Sequence, residues 1–342
     1  MVFVGLDLHK TFSRITAMDA TGKIIEGLRI DNEIEEIANF FKSFDEPVKV
    51  AIEASSSWYW IVDLLQDLEV DVKLSHPLKT KAIASAKVKT DKIDATILAH
   101  LLRCDLLPTA YIPPKEVRET RDLLRYRAVL VRVRTQFKNR IHCILRKFNI
   151  KNPFTDLFGK KGLEFLQDLP VPETYQTFVN DYLSIIGLLN SKIDKATKTI
   201  NQMVEHDPKA RLLCELPGVS YYTALLILME ISDVTRFSDE HHLCSYAGLT
   251  PSVHASGDRV FAGRITKQGS PWLRWILVEA AQKVGNNPKN PFHRLYQQIA
   301  KKKGKGTAKV AVARKILTAA YYMLSKNEHF KPNKSLKVAR SG

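Results

Sequence analysis

The sequence predicts an α/β N-terminal domain built on a mixed sheet, then long helices, then a mainly α-helical C-terminal region. Three observations predict it. Over the first 110 residues, short runs of β-branched and apolar residues alternate first with turns and then with helical patterns. After Pro113-Pro114 come two helix-period stretches, Lys115 to Phe148 and Glu173 to Glu205. Beyond Leu212, shorter helical segments are separated by Gly-, Pro- and Ser-rich stretches.

Composition bounds the function. The chain has 342 residues, 45% of them apolar, which is enough for two domains with sizeable cores. Lys plus Arg number 52 against 36 Asp plus Glu, a net charge of +16. Such an excess calls for a polyanionic partner, nucleic acid ahead of membrane. Cys104, Cys143, Cys214 and Cys244 stand far apart, without the paired spacing of a zinc ribbon or a disulfide framework. That usage suits a reducing cytosol. No signal peptide and no membrane-length apolar run is visible, so a soluble cytoplasmic, nucleoid-associated protein is expected.

Taken in order, Val2 to Leu8 reads as a buried strand that carries one carboxylate, Asp7. Ser13 to Asp19 and Lys23 to Ile30 follow as an antiparallel meander, turning at Asp19-Ala20-Thr21-Gly22. Glu33 to Phe44 is helical. Pro47 to Glu53 is another apolar strand ending on a carboxylate. Ser57 to Leu68 is an amphipathic helix, and Val70 to Leu74 a further strand before a turn at Pro77. A helix then starts at Asp91, capped by Thr90. Its Asp91 and Asp94 are three residues apart and share a face.

The second part begins with a long basic helix, where Arg125, Arg132, Arg134, Lys138 and Arg140 are candidate phosphate contacts. Residues 150–172 carry no clear pattern. The second long helix either pairs with the first as a hairpin or forms a coiled coil between two copies. Leu216-Pro217-Gly218-Val219 resembles a helix-hairpin-helix turn, in which Gly218 would offer backbone N–H groups to a phosphate. Gly248 to Ser270 reads as a polar loop with Arg259, Arg264 and Lys267 as its cations, and Lys301 to Gly306 as a flexible basic loop. A last helix runs from Lys309 to Leu324. The expected organisation is residues 1–110, 111–206 and 207–326, with a loose tail over 327–342.

Four acids stand out: Asp7, Glu53, Asp91 and Asp94. Two lie at the ends of apolar strand runs and two on one helix face. Asp7 alone reads first as a structural acid at a strand end. As a set the four suit a divalent cation, Mg²⁺ or Mn²⁺, because clustered carboxylates repel unless a cation compensates them. Two such ions can clamp a phosphodiester during in-line displacement.

Gly5-Leu6-Asp7, Ile52-Glu53-Ala54 and Lys89-Thr90-Asp91-Lys92-Ile93-Asp94-Ala95 resemble the DEDD transposases of the insertion sequence 110/1111 group. So do Leu216-Pro217-Gly218-Val219, Tyr246-Ala247-Gly248-Leu249-Thr250-Pro251, Ser256-Gly257 and Gly263-Arg264-Ile265-Thr266-Lys267-Gln268-Gly269. The resemblance runs from Val2 to about Leu324. It implies an N-terminal RuvC-like, that is ribonuclease-H-like, domain, a coiled-coil region and a C-terminal transposase domain. It implies Ser256 as the nucleophile and double-stranded DNA, at element ends and target, as substrate. It further implies a bridge RNA as guide, and dimers or tetramers in which the acids of one protomer meet the serine of another.

The residues agree with that chemistry. A serine hydroxyl needs activation by a base or metal, and Ser256 lies among Arg259, Arg264 and Lys267, which could hold a phosphate. Ser252 is the rival nucleophile in the same segment, and His254 a candidate proton carrier. Three other readings stand beside a serine-plus-metal recombinase. They are a RuvC-like junction nuclease that uses the acids alone, a Piv-type site-specific DNA invertase, and a nucleic-acid-binding protein whose acids are structural.

Overall fold

The computed structural model describes residues 1–55, 57–84, 90–256, 259–285 and 287–332; at 253–256, 259–260 and 262 it describes the backbone alone. Most of the tail expected to be loose, and Lys87 to Lys89, therefore lie outside the described residues. The chain divides into two compact units, Met1–Pro113 and Pro114–Gly342.

The first unit runs β1 (Val2–Leu8), β2 (Phe12–Met18), β3 (Ile24–Asp31), α1 (Ile34–Lys42), β4 (Val48–Glu53), α2 (Trp58–Asp67), β5 (Asp71–Ser75), α3 (Pro77–Ile83), α4 (Asp91–Arg103) and β6 (Thr109–Ala110). Its strands form one mixed sheet in the order β3-β2-β1-β4-β5-β6. The first three strands pair antiparallel as a meander. β1, β4 and β5 run parallel. The expected mixed sheet is therefore present, with the first and fourth strands side by side.

Strand alternation decides which residues meet which helix. Val4 and Leu6 of β1 share a buried core with Val50 and Ile52 of β4 and with Ile37, Phe40, Ile61 and Leu65 of α1 and α2. The intervening residues face the other way. Ala51 is buried against Leu98 and Leu102 of α4, with Phe3 beside them. Gly5 lies on this second face because α4 crosses β1 there at backbone distance. A Cβ on Gly5 would stand 1.9 Å from the Ala95 carbonyl oxygen and 2.6 Å from the Ala99 nitrogen. Ala95 and Ala99 carry methyl groups alone, which lets the helix come so close.

The second unit runs α5 (Lys115–Lys147), α6 (Lys160–Gln167), α7 (Glu173–His206), α8 (Pro208–Leu213), α9 (Tyr221–Ile231), a 3₁₀ turn (Val234–Arg236), α10 (Glu240–Tyr246), β7 (Pro251–Ser256), β8 (Arg259–Ile265), α11 (Pro271–Gly285) and α12 (His293–Lys326). Of the two arrangements left open for the long helices, the chain adopts an antiparallel hairpin. Arg127 bonds Thr197, Arg134 bonds Asn190, and Lys147 bonds Tyr175, so rising numbers on α5 meet falling numbers on α7. At one end of the hairpin, Leu124, Ile200 and Val204 join the buried core of α9, α11 and α12.

Five details depart from the sequence reading. Residues 150–172 contain α6, whose Gly162 sits where a Cβ would meet the Leu157 carbonyl oxygen at 2.1 Å. Too short to display helical period, α6 is fixed instead by that close packing. Residues 77–83 form a short helix of about two turns starting at Pro77, where a turn was expected, and Thr109–Ala110 adds an edge strand. The polar loop after Gly248 is a two-stranded antiparallel hairpin, β7 with β8. The residues between the two strands, 257–258, lie outside the described residues. The basic segment Lys301 to Gly306 is helical and continuous with α12, broken at Gly304 alone (φ 84°, ψ 160°). A single left-handed glycine kinks a helix without unravelling its neighbours.

Candidate active site

The first centre forms where β1, β4 and α4 converge. Asp7 and Glu53 follow the paired residues Leu6 and Ile52 on adjacent parallel strands. Both have the alternation of Gly5 and Ala51, so both belong to the face that α4 covers. α4 starts beside them because Thr90 caps it, its hydroxyl accepting from the Ile93 N–H. Asp91 leads to Ala95 and Ala99 by steps of four, and Asp94 leads to Leu98 and Leu102. The helix face that packs on the sheet therefore carries both acids in its first turn.

The charges report the convergence. Burial raises the Asp7 carboxyl above the usual aspartate range; His9 pulls it back, and Asp94, Asp91 and Glu53 push it up. All four predicted acids thus act on one electrostatic site. His9 was missed by the sequence reading. Its Nε2 stands 3.2 Å from Asp7 Oδ2 and 3.3 Å from Asp91 Oδ2. That nitrogen is buried and lacks a hydrogen-bond partner of proper geometry. The ring is held by stacking on Phe12, centroids 4.6 Å apart. Asp7, His9 and Asp91 each offer one ligand atom, all within 4.8 Å of one another. An orphaned ring nitrogen between repelling carboxylates is a donor set that a divalent cation fits. The signal was present in the sequence: His9 is two residues past Asp7, hence on the same side of the chain.

The second centre is the β7–β8 hairpin. Its foot is pinned. The Thr266 N–H donates to the Thr250 carbonyl at 2.9 Å, and the Ser270 N–H to the Tyr246 carbonyl at 2.8 Å. Gly269 has φ 99°, and a Cβ there would meet the Tyr246 carbonyl oxygen at 2.0 Å. Ser256 forms the last registered pair of the hairpin, opposite Arg259, at the end away from the foot. The side chains of Ser256, Arg259 and His254 lie outside the described atoms. Ser252, the rival, lies across from Gly263, where an added Cβ would come within 2.3 Å of the serine hydroxyl. Arg264 and Lys267 are exposed on the β8 side.

The candidate phosphate contacts divide. Arg125 is tied into the fold: its Nη2 meets Oε1 of fully buried Glu230 at 2.7 Å. Ser270 donates to the other Glu230 oxygen at 2.9 Å. Arg134 donates to Asn190 at 2.8 Å, and Lys138 lies 4.4 Å over the Phe158 ring. Arg132 and Arg140 are exposed. Gly218 has φ 84°, and a Cβ on it would stand 2.6 Å from the Ala280 carbonyl oxygen, so packing against α11 already requires a glycine there.

An acid-and-imidazole centre on a mixed sheet, followed by a strongly basic helical unit, defines a metal-suited enzyme of nucleic-acid chemistry. Comparison with known proteins specifies it. A DEDD transposase model of the IS110 group, described as "Transposase", matches residues 4–150. A model described as "Transposase IS116/IS110/IS902 family" matches residues 210–297. The chain is 23% identical over 339 residues to a "Probable family 20 transposase" of Pseudomonas aeruginosa, covering 96% of this chain and 98% of that one. It is 22% identical over 342 residues to the "Transposase for insertion sequence element IS1111A" of Coxiella burnetii, covering 96% and 91%. Over a shorter stretch of 133 residues, 38% of this chain and 41% of the relative, it is 32% identical to the "Pilin gene-inverting protein" of Moraxella bovis. The chain belongs to the IS110 family of insertion-sequence transposases. As such it is a DNA-processing enzyme. Among the described residues, no helix is long and apolar enough to cross a membrane.

Proposed function

We propose that this transposase cuts and rejoins DNA through a serine–DNA phosphodiester, with a RuvC-like N-terminal domain supplying a divalent-metal centre. The observation that carries the reading is the shared field of Asp7, Glu53, Asp91 and Asp94, with, between two of them, a buried imidazole nitrogen that makes no hydrogen bond. In the proposed step Ser256 Oγ attacks a DNA phosphorus. The bond to a 3′ oxygen breaks, that strand leaves as a 3′ hydroxyl, and the phosphate stays esterified to serine. A 3′ hydroxyl from another strand then attacks the phosphoserine and restores Ser256, so strands are exchanged without hydrolysis. Arg259, Arg264 and Lys267 would hold the phosphate as this happens. Asp7, Glu53, Asp91 and Asp94, joined by His9, would hold the metal. Mg²⁺ suits the oxygens, and Mn²⁺ the mixed oxygen and nitrogen set. When bound, the metal supplies Lewis-acid stabilisation of charge on phosphoryl oxygens.

Family resemblance adds two further parts to this reading: a structured RNA that guides target and donor choice, and a dimer or tetramer in which acids and serine come from different protomers. Work on chromosomal DNA implies a cytoplasmic site of action. The likeness to a pilin gene-inverting protein favours inversion of a segment as the second outcome of the same chemistry.

Covalent trapping tests the reading. Wild-type protein with Mg²⁺ or Mn²⁺ and an element-end duplex yields a DNA–protein adduct on denaturing gels. Ser256→Ala and Asp7→Ala each abolish it, and Ser252→Ala leaves it. Normal recombination by Ser256→Ala, or metal-dependent cutting that ignores Ser256, would overturn the serine step in favour of a water-using nuclease.

A further inference from the structure

Beside the hairpin foot, the second unit carries an open cavity of about 940 Å³. It lies between β8, the start and middle of α12, and α10. Its lining has two halves. Leu249, Leu295, Ile299 and Val310 make an apolar floor. Arg264, Lys267, Arg314 and Lys315 stand around it as cations, with Glu240 as the acid in the lining. The sequence reading nominated two of these cations from β8 and its exit; the other two come from α12, some fifty residues on.

The cations of α12 are only partly compensated: Glu240 is the acid that acts on Lys315, and Arg314 also faces the Cys244 thiol. Lys315 has no hydrogen bond or ion pair among the described residues, and burial, then the neighbouring Arg314, holds its ammonium below the usual lysine range. Arg314 reaches His241 Nδ1 at 3.2 Å, a partner with no negative charge of its own. Half-buried cations that outnumber the acid beside them are costly over an apolar floor unless an anion completes them. A free phosphate would satisfy the cations and leave the floor empty. The volume lies within the roughly 300–1,000 Å³ typical of small-molecule sites. A stacked duplex offers a concavity its phosphates but no base.

We propose that this cavity receives a single unstacked nucleotide of the strand being processed, its phosphate on Arg314 and Lys315 and its base against Leu249, Leu295 and Val310. The site deepens the reading of the chain as a strand-exchanging enzyme and rests on it. Extruding one nucleotide beside the pinned foot of the serine hairpin would fix the register of the strand relative to that hairpin. Aliphatic walls make the pocket tolerant of base identity, because no donor or acceptor edge dominates its floor.

The test uses 2-aminopurine, which fluoresces when unstacked, placed at successive positions of element-end DNA and, in parallel, of a matching RNA strand. It is run with full-length Ser256→Ala protein in the absence of divalent metal, so its outcome is independent of the adduct experiment. The expected result is a severalfold rise at one strand position. Thr307→Trp, which fills the cavity from an exposed position of its lining, removes the rise while the strand still binds. Lys315→Ala weakens binding by roughly tenfold, the loss of one charge-assisted phosphate contact. A rise with DNA supports the site; a rise with RNA alone assigns the cavity to another strand and overturns the proposal as stated. No rise with both, or an undiminished rise in Thr307→Trp, overturns it.

Discussion

At the scale of single residues, the cost of the metal-suited centre is concentrated on Asp7. Burial and three neighbouring acids raise its pKa, so folding disfavours its ionised form. A carboxyl whose folded pKa is raised adds stability below its unfolded pKa and loses it as pH rises through the folded value. Asp7→Asn should therefore raise the melting temperature of the metal-free protein at neutral pH. The gain should vanish below about pH 4, where the unfolded carboxyl is also protonated. Thermal melts of both proteins across pH 3 to 8 check this; an equal difference at every pH would mean that the asparagine acts through packing. Divalent cation should stabilise the wild type and not the variant, because only a charged Asp7 contributes to binding. The same residues mark where sequence reading stopped. Asp7, Glu53, Asp91 and Asp94 were legible because each ends or begins an element whose pattern is strong. His9 shares the alternation of Asp7 but lies one residue beyond the end of β1, outside the apolar run that drew notice to the acid, and its stacking on Phe12 comes from a turn.

At the scale of elements, the close crossing of α4 over β1 is what delivers two acids to the other two. Gly5 permits it. A Cβ at position 5 cannot coexist with the Ala95 carbonyl at its present place. Gly5→Ala should force α4 outward and cost about 1–3 kcal/mol in denaturant unfolding, the range for overpacking. It should also weaken metal binding, since Asp91 and Asp94 travel with the helix. Gly27→Ala on β3 is the control: its nearest atom would be 4.0 Å away. Similar losses in both variants would show that glycine entropy, and not the crossing, is responsible. Apart from α3 and the two-residue β6, the helices and strands of the first unit were legible because apolar period is local. The role of Arg125 was not. A run of arginines on α5 reads as a phosphate-binding face, yet Arg125 is committed to Glu230, 105 positions away. No local pattern reports so distant a partner. The hairpin of β7 and β8 was hidden for a different reason: it is short and polar, so it lacks the apolar alternation by which a half-buried strand is recognised.

At the scale of the whole molecule, charge is unevenly shared. Residues 1–113 hold 13 Lys plus Arg against 17 Asp plus Glu, a net −4; residues 114–342 hold 39 against 19, a net +20. The overall +16 conceals an acidic unit joined to a strongly basic one. Nucleic-acid attraction therefore belongs to the second unit, and the first needs a cation before it tolerates a phosphate. Each phosphate neutralised by the protein contributes about 0.9 to the slope of log affinity against log salt. Arg132 and Arg140 are exposed cations of the basic unit. Charge reversal of either should lower that slope by about one in fluorescence anisotropy titrations with duplex DNA, with melting temperature unchanged. Reversal of exposed Lys10 or Lys42 in the acidic unit should leave the slope as it is. Arg125→Glu should behave differently again. It places two carboxylates together at buried Glu230, at a cost of about 3 kcal/mol or more, so the variant loses stability before its binding can be read. If Lys10→Glu lowered the slope as much as Arg132→Glu, attraction would be a property of total charge, and the division between the two units would carry no functional meaning.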